Sequence, residues 1–322
     1  MESYKNLVIG GAGSKNYASI GALSVLNNKI KHIDRILGVS SGSILATLLC
    51  IGCTPQEIKH IYENLNFETF KINYLSFYTY FKIYKYGGIN DSSIFREEII
   101  HKVLEAKTGN GNITFKEIYD IYGKVLVIPT ACVNKREMFY YNYQSNPTMP
   151  VKNAIEQSCC FPGVFYPVRY KGNTFVDAGL IDNYPLYYFN NGDELKNSRL
   201  ERIYPKDKEV VDTLGILIID SNMSKLKDDP YLGNDSTIKN LDYFKSILNT
   251  LLTTNSRARI GNGYWENTIA IDIGKNIDGV SDMSLDADTR HEIYKKGQDF
   301  ALEFMENKNS KSLLKEYLTF FV

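Results

Sequence analysis

The chain has no excess of charge: 37 Lys and Arg face 37 Asp and Glu, and the net charge at pH 7 is zero. The bulk electrostatics that drive binding to nucleic acid are missing, so no nucleic-acid partner is expected. Cysteine is scarce, five in 322 residues, with Cys50 and Cys53 close together and Cys159 and Cys160 adjacent. An odd count at such spacings builds no disulfide framework and reads as reduced thiols in a cytosol-like compartment. Cys50-x-x-Cys53 has no second Cys or His pair at ligand spacing, so no metal is expected and the two read as buried thiols. The opening MESYKN has no basic stretch leading into an apolar one. A Sec-type signal is therefore not expected, which points to a cytoplasmic location with non-Sec secretion as the alternative.

What is present is the composition of a globular protein, 43% hydrophobic and 23% charged. The length suits one large or two ordinary domains at ~150 residues each. The uncharged run Ile36 to Cys53, ILGVSSGSILATLLCIGC, approaches the length of a membrane span. Its glycines and serines favour a strand at Ile36 to Val39, a sharp turn and a buried helix from Ser41, with Thr54-Pro55 opening the next helix. Further strands are expected at Asn6 to Gly10, Val125 to Ala131, Thr174 to Asp177, Leu214 to Ile219 and Thr268 to Asp272. Helical stretches alternate with them at Tyr17 to Leu26, Ser93 to Ala106, Val151 to Cys159, Ile238 to Arg259 and Asp286 to Met305. The alternation predicts an α/β fold, a mostly parallel central sheet flanked by helices, as one domain over 1–322 with a helical C-terminal part at 236–322 packed on the core. Asn190 to Asp212 reads as a solvated excursion between strands.

The stretch Phe67 to Tyr86, FETFKINYLSFYTYFKIYKY, is dominated by aromatics with recurring Lys. It has two readings: rings packed inward as core, or an aromatic cap or lid over 67–90 that meets a lipid interface.

Gly38-Val39-Ser40-Ser41-Gly42 fits G-x-S-x-G between an apolar strand and an apolar helix, the setting of a nucleophile elbow. Ser40 is the candidate nucleophile, Gly38 and Gly42 the small residues that relieve crowding, and the helix N-terminus favours the negative charge that develops there. A base is needed, yet none of His32, His60, His101 and His291 lies in a small-residue turn at a strand end. Asp177, at a strand end before Ala178-Gly179, is the alternative: partly desolvated, a carboxylate can take the serine proton itself. Gly10-Gly11-Ala12-Gly13-Ser14-Lys15-Asn16 is a third element, between the first strand and helix. It fails as a P-loop, because Ser14 precedes Lys15 and Asn16 follows, and as a dinucleotide fingerprint, because Asn16 stands where the third glycine belongs. An oxyanion hole remains.

Loop, elbow and Asp-small-Gly in this order resemble the patatin-like phospholipase family, lipid acyl hydrolases that use a Ser-Asp dyad on an α/β fold and need no calcium for chemistry. The family's G-G-G-x-[KR]-G loop corresponds to Gly11 through Asn16, continuing into Ile20-Gly21-Ala22-Leu23; its D-G-[GA] corresponds to Asp177-Ala178-Gly179, continuing to Asp182-Asn183-Tyr184-Pro185. Ser158-Cys159-Cys160-Phe161-Pro162-Gly163 resembles the stretch ahead of the family's aspartate, and Ile269 to Asp272 followed by Met283-Ser284-Leu285 resembles the end of bacterial-type members. The resemblance implies Ser40 and Asp177 as catalytic, N–H groups of Gly11, Ala12 and Gly13 as oxyanion donors, and Gly38, Gly42, Lys15 and Gly179 as supporting residues, with Lys15 either solvated or near a headgroup phosphate. It implies no cofactor, a phospholipid or other acyl lipid as substrate, and peripheral membrane association, and it leaves a protein activator unspecified. The chain departs from the pattern at Ala12, Asn16 and Ala178, each in place of a glycine. Alanine supplies an N–H equally well where the loop does not demand positive φ, and asparagine tolerates the left-handed region. Phospholipase A or lysophospholipase activity is the expectation; an acyltransferase with the same dyad and a noncatalytic lipid-binding protein are the rivals.

Overall fold

A computed structural model describes residues 4–65, 70, 77–190, 212–219, 264–274 and 285–306. The helix expected at Ile238 to Arg259, nearly all of the expected Asn190 to Asp212 excursion, Met283-Ser284 and most of the C-terminal part lie outside them. In chain order the elements begin with β1 (Asn6–Ile9), α1 (Tyr17–Ile30), β2 (Arg35–Gly38), α2 (Ser41–Cys50), α3 (Pro55–Asn64) and α4 (Phe77–Tyr86). There follow α5 (Ser92–Ile94), a π-helical stretch Phe95–His101, α6 (Lys102–Thr108), α7 (Phe115–Tyr122), β3 (Val125–Cys132), β4 (Glu137–Tyr141) and α8 (Val151–Cys159). The last are β5 (Val168–Tyr170), β6 (Asn173–Val176), α9 (Gly179–Asp182), β7 (Thr213–Ile219), β8 (Thr268–Asp272) and α10 (Ala287–Met305).

The strands form one sheet in the order β5-β6-β3-β2-β1-β7-β8, with β4 also on β3. The stretch β3-β2-β1-β7-β8 is parallel throughout. Its strands are short apolar runs because both faces are covered: period-two alternation sends Leu7 and Ile9 into one core with Ile20, Leu23 and Leu45, and Val8 into the other with Leu37, Val127 and Tyr184. The uncharged run from Ile36 divides as expected into β2, a turn and the buried α2, and no helix of the described residues is long and apolar enough to cross a membrane. Thr54 caps α3 through a reciprocal box with Glu57, and Pro55 takes the first helical position.

Three antiparallel pairings bring the sheet's end back on itself. β3 pairs with β2 through Val125 to Val127, then continues to Cys132, where β6 meets it in the opposite direction with Val176 beside Ala131. Leu37 lies beside Val127, so Gly38 and Val39 continue along β2 to place Ser40 near the level of Thr130, and the descending β6 delivers Asp177 to that same level. β4 and β5 are additions to the sequence-based expectation. The β3–β4 turn takes positive φ at Arg136 (φ 55) without a glycine to announce it, and β5 spans three residues.

Within the aromatic stretch, α4 departs from the core reading, since Tyr78, Tyr80, Phe81, Tyr84 and Tyr86 are exposed, whereas Phe70, and Ile89 just beyond, are buried. α8 is anchored by Glu156, 3% exposed, which accepts from Arg96 Nη1 and Ser92 Oγ at 2.8 Å each.

α10 packs on α1 at backbone distance, because a Cβ on Gly21 would overlap the Tyr294 carbonyl and a Cβ on Gly297 would overlap that of Ala18. Gly297→Ala should therefore push the helices apart and destabilise the protein by roughly 1–3 kcal/mol, read as a lower urea midpoint. An unchanged midpoint would contradict the close packing of α10 on α1.

Candidate active site

β1 and β2 are parallel neighbours with Ile9 beside Gly38, so the loop after β1 and the turn after β2 emerge together. The turn is tight. A Cβ on Gly38 would overlap the Gly42 carbonyl, and one on Gly42 would lie 2.6 Å from Ile9 O and 2.7 Å from Gly10 O, so glycine is required at both. Ser40 pivots between strand and helix at φ 50, ψ −129, a conformation that costs a non-glycine residue of order 1–3 kcal/mol. Surrounding bonds hold it there: Ser40 N–H donates to Ser158 Oγ at 2.9 Å, and Ser40 O accepts from Ser43 N–H (2.8 Å) and Ser43 Oγ (2.6 Å).

The strained backbone presents the Ser40 hydroxyl to Asp177, donating to Oδ2 at 2.5 Å. The other carboxylate oxygen accepts from Gly179 N–H at 2.8 Å, and Asp177 N–H is fixed on Cys160 O at 2.9 Å. Asp177 is 3% exposed and forms no ion pair among the described residues. Burial pushes its carboxyl up to about 7, outweighing the opposing hydrogen bonds from Ser40 and Gly179. His32, His60 and His291 are exposed, His101 lies beside Lys152 at 3.2 Å, and among the described residues no histidine hydrogen-bonds Ser40 or Asp177.

The glycine loop closes the third side. Gly11 is pressed against the serine, since a Cβ there would lie 2.8 Å from Ser40 Cβ and 2.5 Å from Asn183 Oδ1. Asn183 Nδ2 donates to Gly11 O at 2.8 Å. The three departures from glycine are all compatible with their backbones: Ala12 sits at φ −153, Asn16 at −64 and Ala178 at −60, whereas the loop's positive φ falls on Gly13 (φ 56). Asn16 is fully buried and bridges the parts, donating from Nδ2 to Ser41 Oγ at 2.6 Å and accepting from Ser19 Oγ at 2.7 Å. One expected donor is already engaged, because Ala12 N–H donates to Ser41 Oγ at 3.2 Å. Among the described residues the N–H groups of Gly11 and Gly13 have no acceptor. Lys15 is half-buried, with its N–H on Ala12 O at 3.1 Å.

Ser41, Ser158 and Asn183 hold this arrangement and were not singled out as site residues from the sequence. Their common signal is a small polar residue beside the G-x-S-x-G turn or within a few residues of the aspartate segment. Cys50 and Cys53 stand apart as buried free thiols, both pushed up by burial.

The family model for patatin-like phospholipase matches residues 7–190, from β1 to beyond α9, Ser40 and Asp177 included. The chain belongs to the patatin-like phospholipase family. A probable lipid hydrolase of Invertebrate iridescent virus 6 is 33% identical over 188 residues, covering 57% of this chain and 62% of the viral protein. The match thus spans about three fifths of that relative's length. An uncharacterized protein of Acanthamoeba polyphaga mimivirus is 30% identical over 295 residues, 90% of this chain and 89% of its own. The crystal structure of VipD from Legionella pneumophila shares the fold, with a TM-score of 0.57 at 16% identity over 95% of this chain and 67% of that one.

In this patatin-like site the buried carboxylate opposes stability. Unfolded, Asp177 ionises near ~3.9, whereas folded it does so near 7. Stability is thus fully retained below ~4 and declines as the pH rises to about 7, because the unfolded chain ionises first. Asp177→Asn keeps the shape without the charge. It should stabilise the protein above pH 7 by roughly 2–4 kcal/mol, with the gain vanishing toward pH ~4. Denaturant titrations of both proteins across that range test this, and a gain independent of pH would contradict it.

Proposed function

We propose that the protein is a serine-dependent lipid acyl hydrolase of phospholipase A or lysophospholipase type, working through a Ser40–Asp177 dyad. The observation that carries the reading is the 2.5 Å hydrogen bond from a strained serine at a helix N-terminus to a buried carboxylate pushed up to about 7. A carboxylate at its ordinary value is a poor base for a hydroxyl, and the raised value brings it close to neutral pH, where general-base catalysis is most effective. Family membership and the lipid-hydrolase relative support acyl lipid as the substrate, and a substrate held in a membrane gives the protein a peripheral place on its surface.

Ser40 Oγ attacks the ester carbonyl while Asp177 takes its proton, and the carbonyl oxygen becomes an oxyanion. Gly11 and Gly13 N–H groups, beside the N-terminus of α2, receive that charge; Ala12 instead fixes the loop on Ser41. Collapse of the tetrahedral species breaks the ester C–O bond, and the departing alcohol takes the proton from Asp177, leaving Ser40 acylated. Water then gives a proton to Asp177 and its oxygen to the acyl carbon; the proton returns to Ser40 as the fatty acid leaves. Ala12, Asn16 and Ala178 do not argue against turnover, since none occupies a backbone position that only glycine can adopt.

Products from phospholipid, lysophospholipid and a soluble short-chain ester, identified by mass, test the assignment. kcat/KM should rise tenfold per pH unit at acid pH, level off above about 7, and fall by roughly 10³-fold or more in Ser40→Ala and Asp177→Asn. Turnover that survives Ser40→Ala, or that vanishes in a folded His60→Ala or His101→Ala protein, would contradict the dyad.

A further inference from the structure

Ten large hydrophobic side chains are exposed among the described residues, and five of them belong to α4: Tyr78, Tyr80, Phe81, Tyr84 and Tyr86. At 100° per residue, positions 78, 80, 81, 84 and 85 share one side of the helix. Thr79, 5% exposed, faces the protein, while Tyr84 on the outer side is 91% exposed. A helix on a protein surface ordinarily turns its polar face outward. α4 does the reverse, and isolated exposed rings do not account for a patch of this kind.

The same helix carries Lys82 and Lys85 and no acidic residue between Phe77 and Tyr86, in a chain whose net charge is zero. Lys82 Nζ lies 5.0 Å from the Tyr78 ring centroid, and Lys85 Nζ lies 5.6 Å from Phe81 and 5.0 Å from Tyr86. The ammonium groups are therefore interleaved with the rings. That combination suits a phospholipid headgroup layer, where tyrosine rings favour the interface and lysine reaches phosphate. It does not suit a second copy of the same face, because like charges would meet.

The helix is moored close to the catalytic aspartate. Tyr86 stacks on Tyr166 at 4.9 Å between centroids, Gly163 N–H donates to Gly87 O at 3.1 Å, and Asn90 N–H donates to Val164 O at 2.9 Å. Cys160, at the head of that segment, donates from Sγ to Tyr166 O at 2.6 Å and accepts from Asp177 N–H through its carbonyl.

We propose that the outer face of α4 is the surface by which the protein docks on an anionic phospholipid bilayer, with its rings at headgroup depth, Lys85 against phosphate on that face and Lys82 reaching phosphate from its edge beside Tyr78. The proposal rests on the lipid hydrolase reading and names the element that meets the substrate's surface.

Flotation of the full chain with vesicles of phosphatidylcholine, with and without phosphatidylserine, tests it beside hydrolysis of a soluble short-chain ester and the melting temperature. Phe81→Ser with Tyr84→Ser should weaken binding to both vesicles by about tenfold or more. Lys82→Gln and Lys85→Gln should each cost about fivefold on phosphatidylserine vesicles only. Ile121→Ser, which removes an exposed apolar residue of α7, should change nothing, and all variants should keep the soluble-ester rate and melting temperature. Vesicle binding unaltered in the ring variant would overturn the proposal, as would concentration-dependent dimers that the ring variant dissolves without affecting vesicles. A lowered melting temperature with equal losses of vesicle binding and soluble-ester hydrolysis would also overturn it by making the rings structural; Tyr84→Ser alone, at the most exposed ring, repeats the test with the least disturbance. Docking through α4 without ester turnover would retain this surface and sink the hydrolase reading, whereas turnover with docking independent of α4 would do the opposite.

Discussion

A carboxylate withdrawn from water with a serine hydroxyl and one backbone N–H as its hydrogen-bonding support is the constraint on which this structure turns. Two hydrogen bonds replace the hydration of Asp177 only in part, and its proton affinity rises toward that of a base useful near neutral pH. A nearby Arg or Lys would stabilise the charge and remove the basicity. The lost stability is offset elsewhere, in the two cores on either side of the sheet and in the bonds that hold Ser40 at positive φ.

The sheet explains how Ser40 and Asp177 are brought together. Parallel β1 and β2 bring the glycine loop and the elbow to one end, and this alone would leave the aspartate to a further parallel strand. β6 instead descends antiparallel beside the far end of β3, so that Asp177 arrives from above at the level where β2 has just turned. Ser158, on α8, then ties the serine's backbone, and Cys160 just beyond it ties that of the aspartate, so one short segment sets both partners. The α4 mooring reaches the same segment through Tyr166 and Val164.

Much of this was legible because the decisive signals were local. Gly38 and Gly42 around Ser40, an apolar strand before and an apolar helix after, specify a turn whatever the rest of the fold does. The contacts that set the geometry were not legible: Ser40 N–H to Ser158 and Asn183 to Gly11 link residues more than a hundred positions apart. Nor did composition reveal that Ala12 and Asn16 sit at negative φ, or that Ala12 N–H is engaged by Ser41, because these follow from how the loop folds onto α2. β4 escaped notice for want of a glycine in its turn, β5 for its length. Hydrophobic content could not decide between core and interfacial cap for the aromatics of α4, because it carries no record of which side faces water.

Reaction with a fluorophosphonate, followed by mapping of the adduct by mass, reads the activation of Ser40 by Asp177, since only an activated hydroxyl reacts at a useful rate. One adduct is expected, on Ser40, forming faster as the pH rises to about 7, absent from Ser40→Ala and strongly slowed in Asp177→Asn. An adduct on Ser41 or Ser43, or labelling of Ser40 that is indifferent to Asp177→Asn, would contradict it.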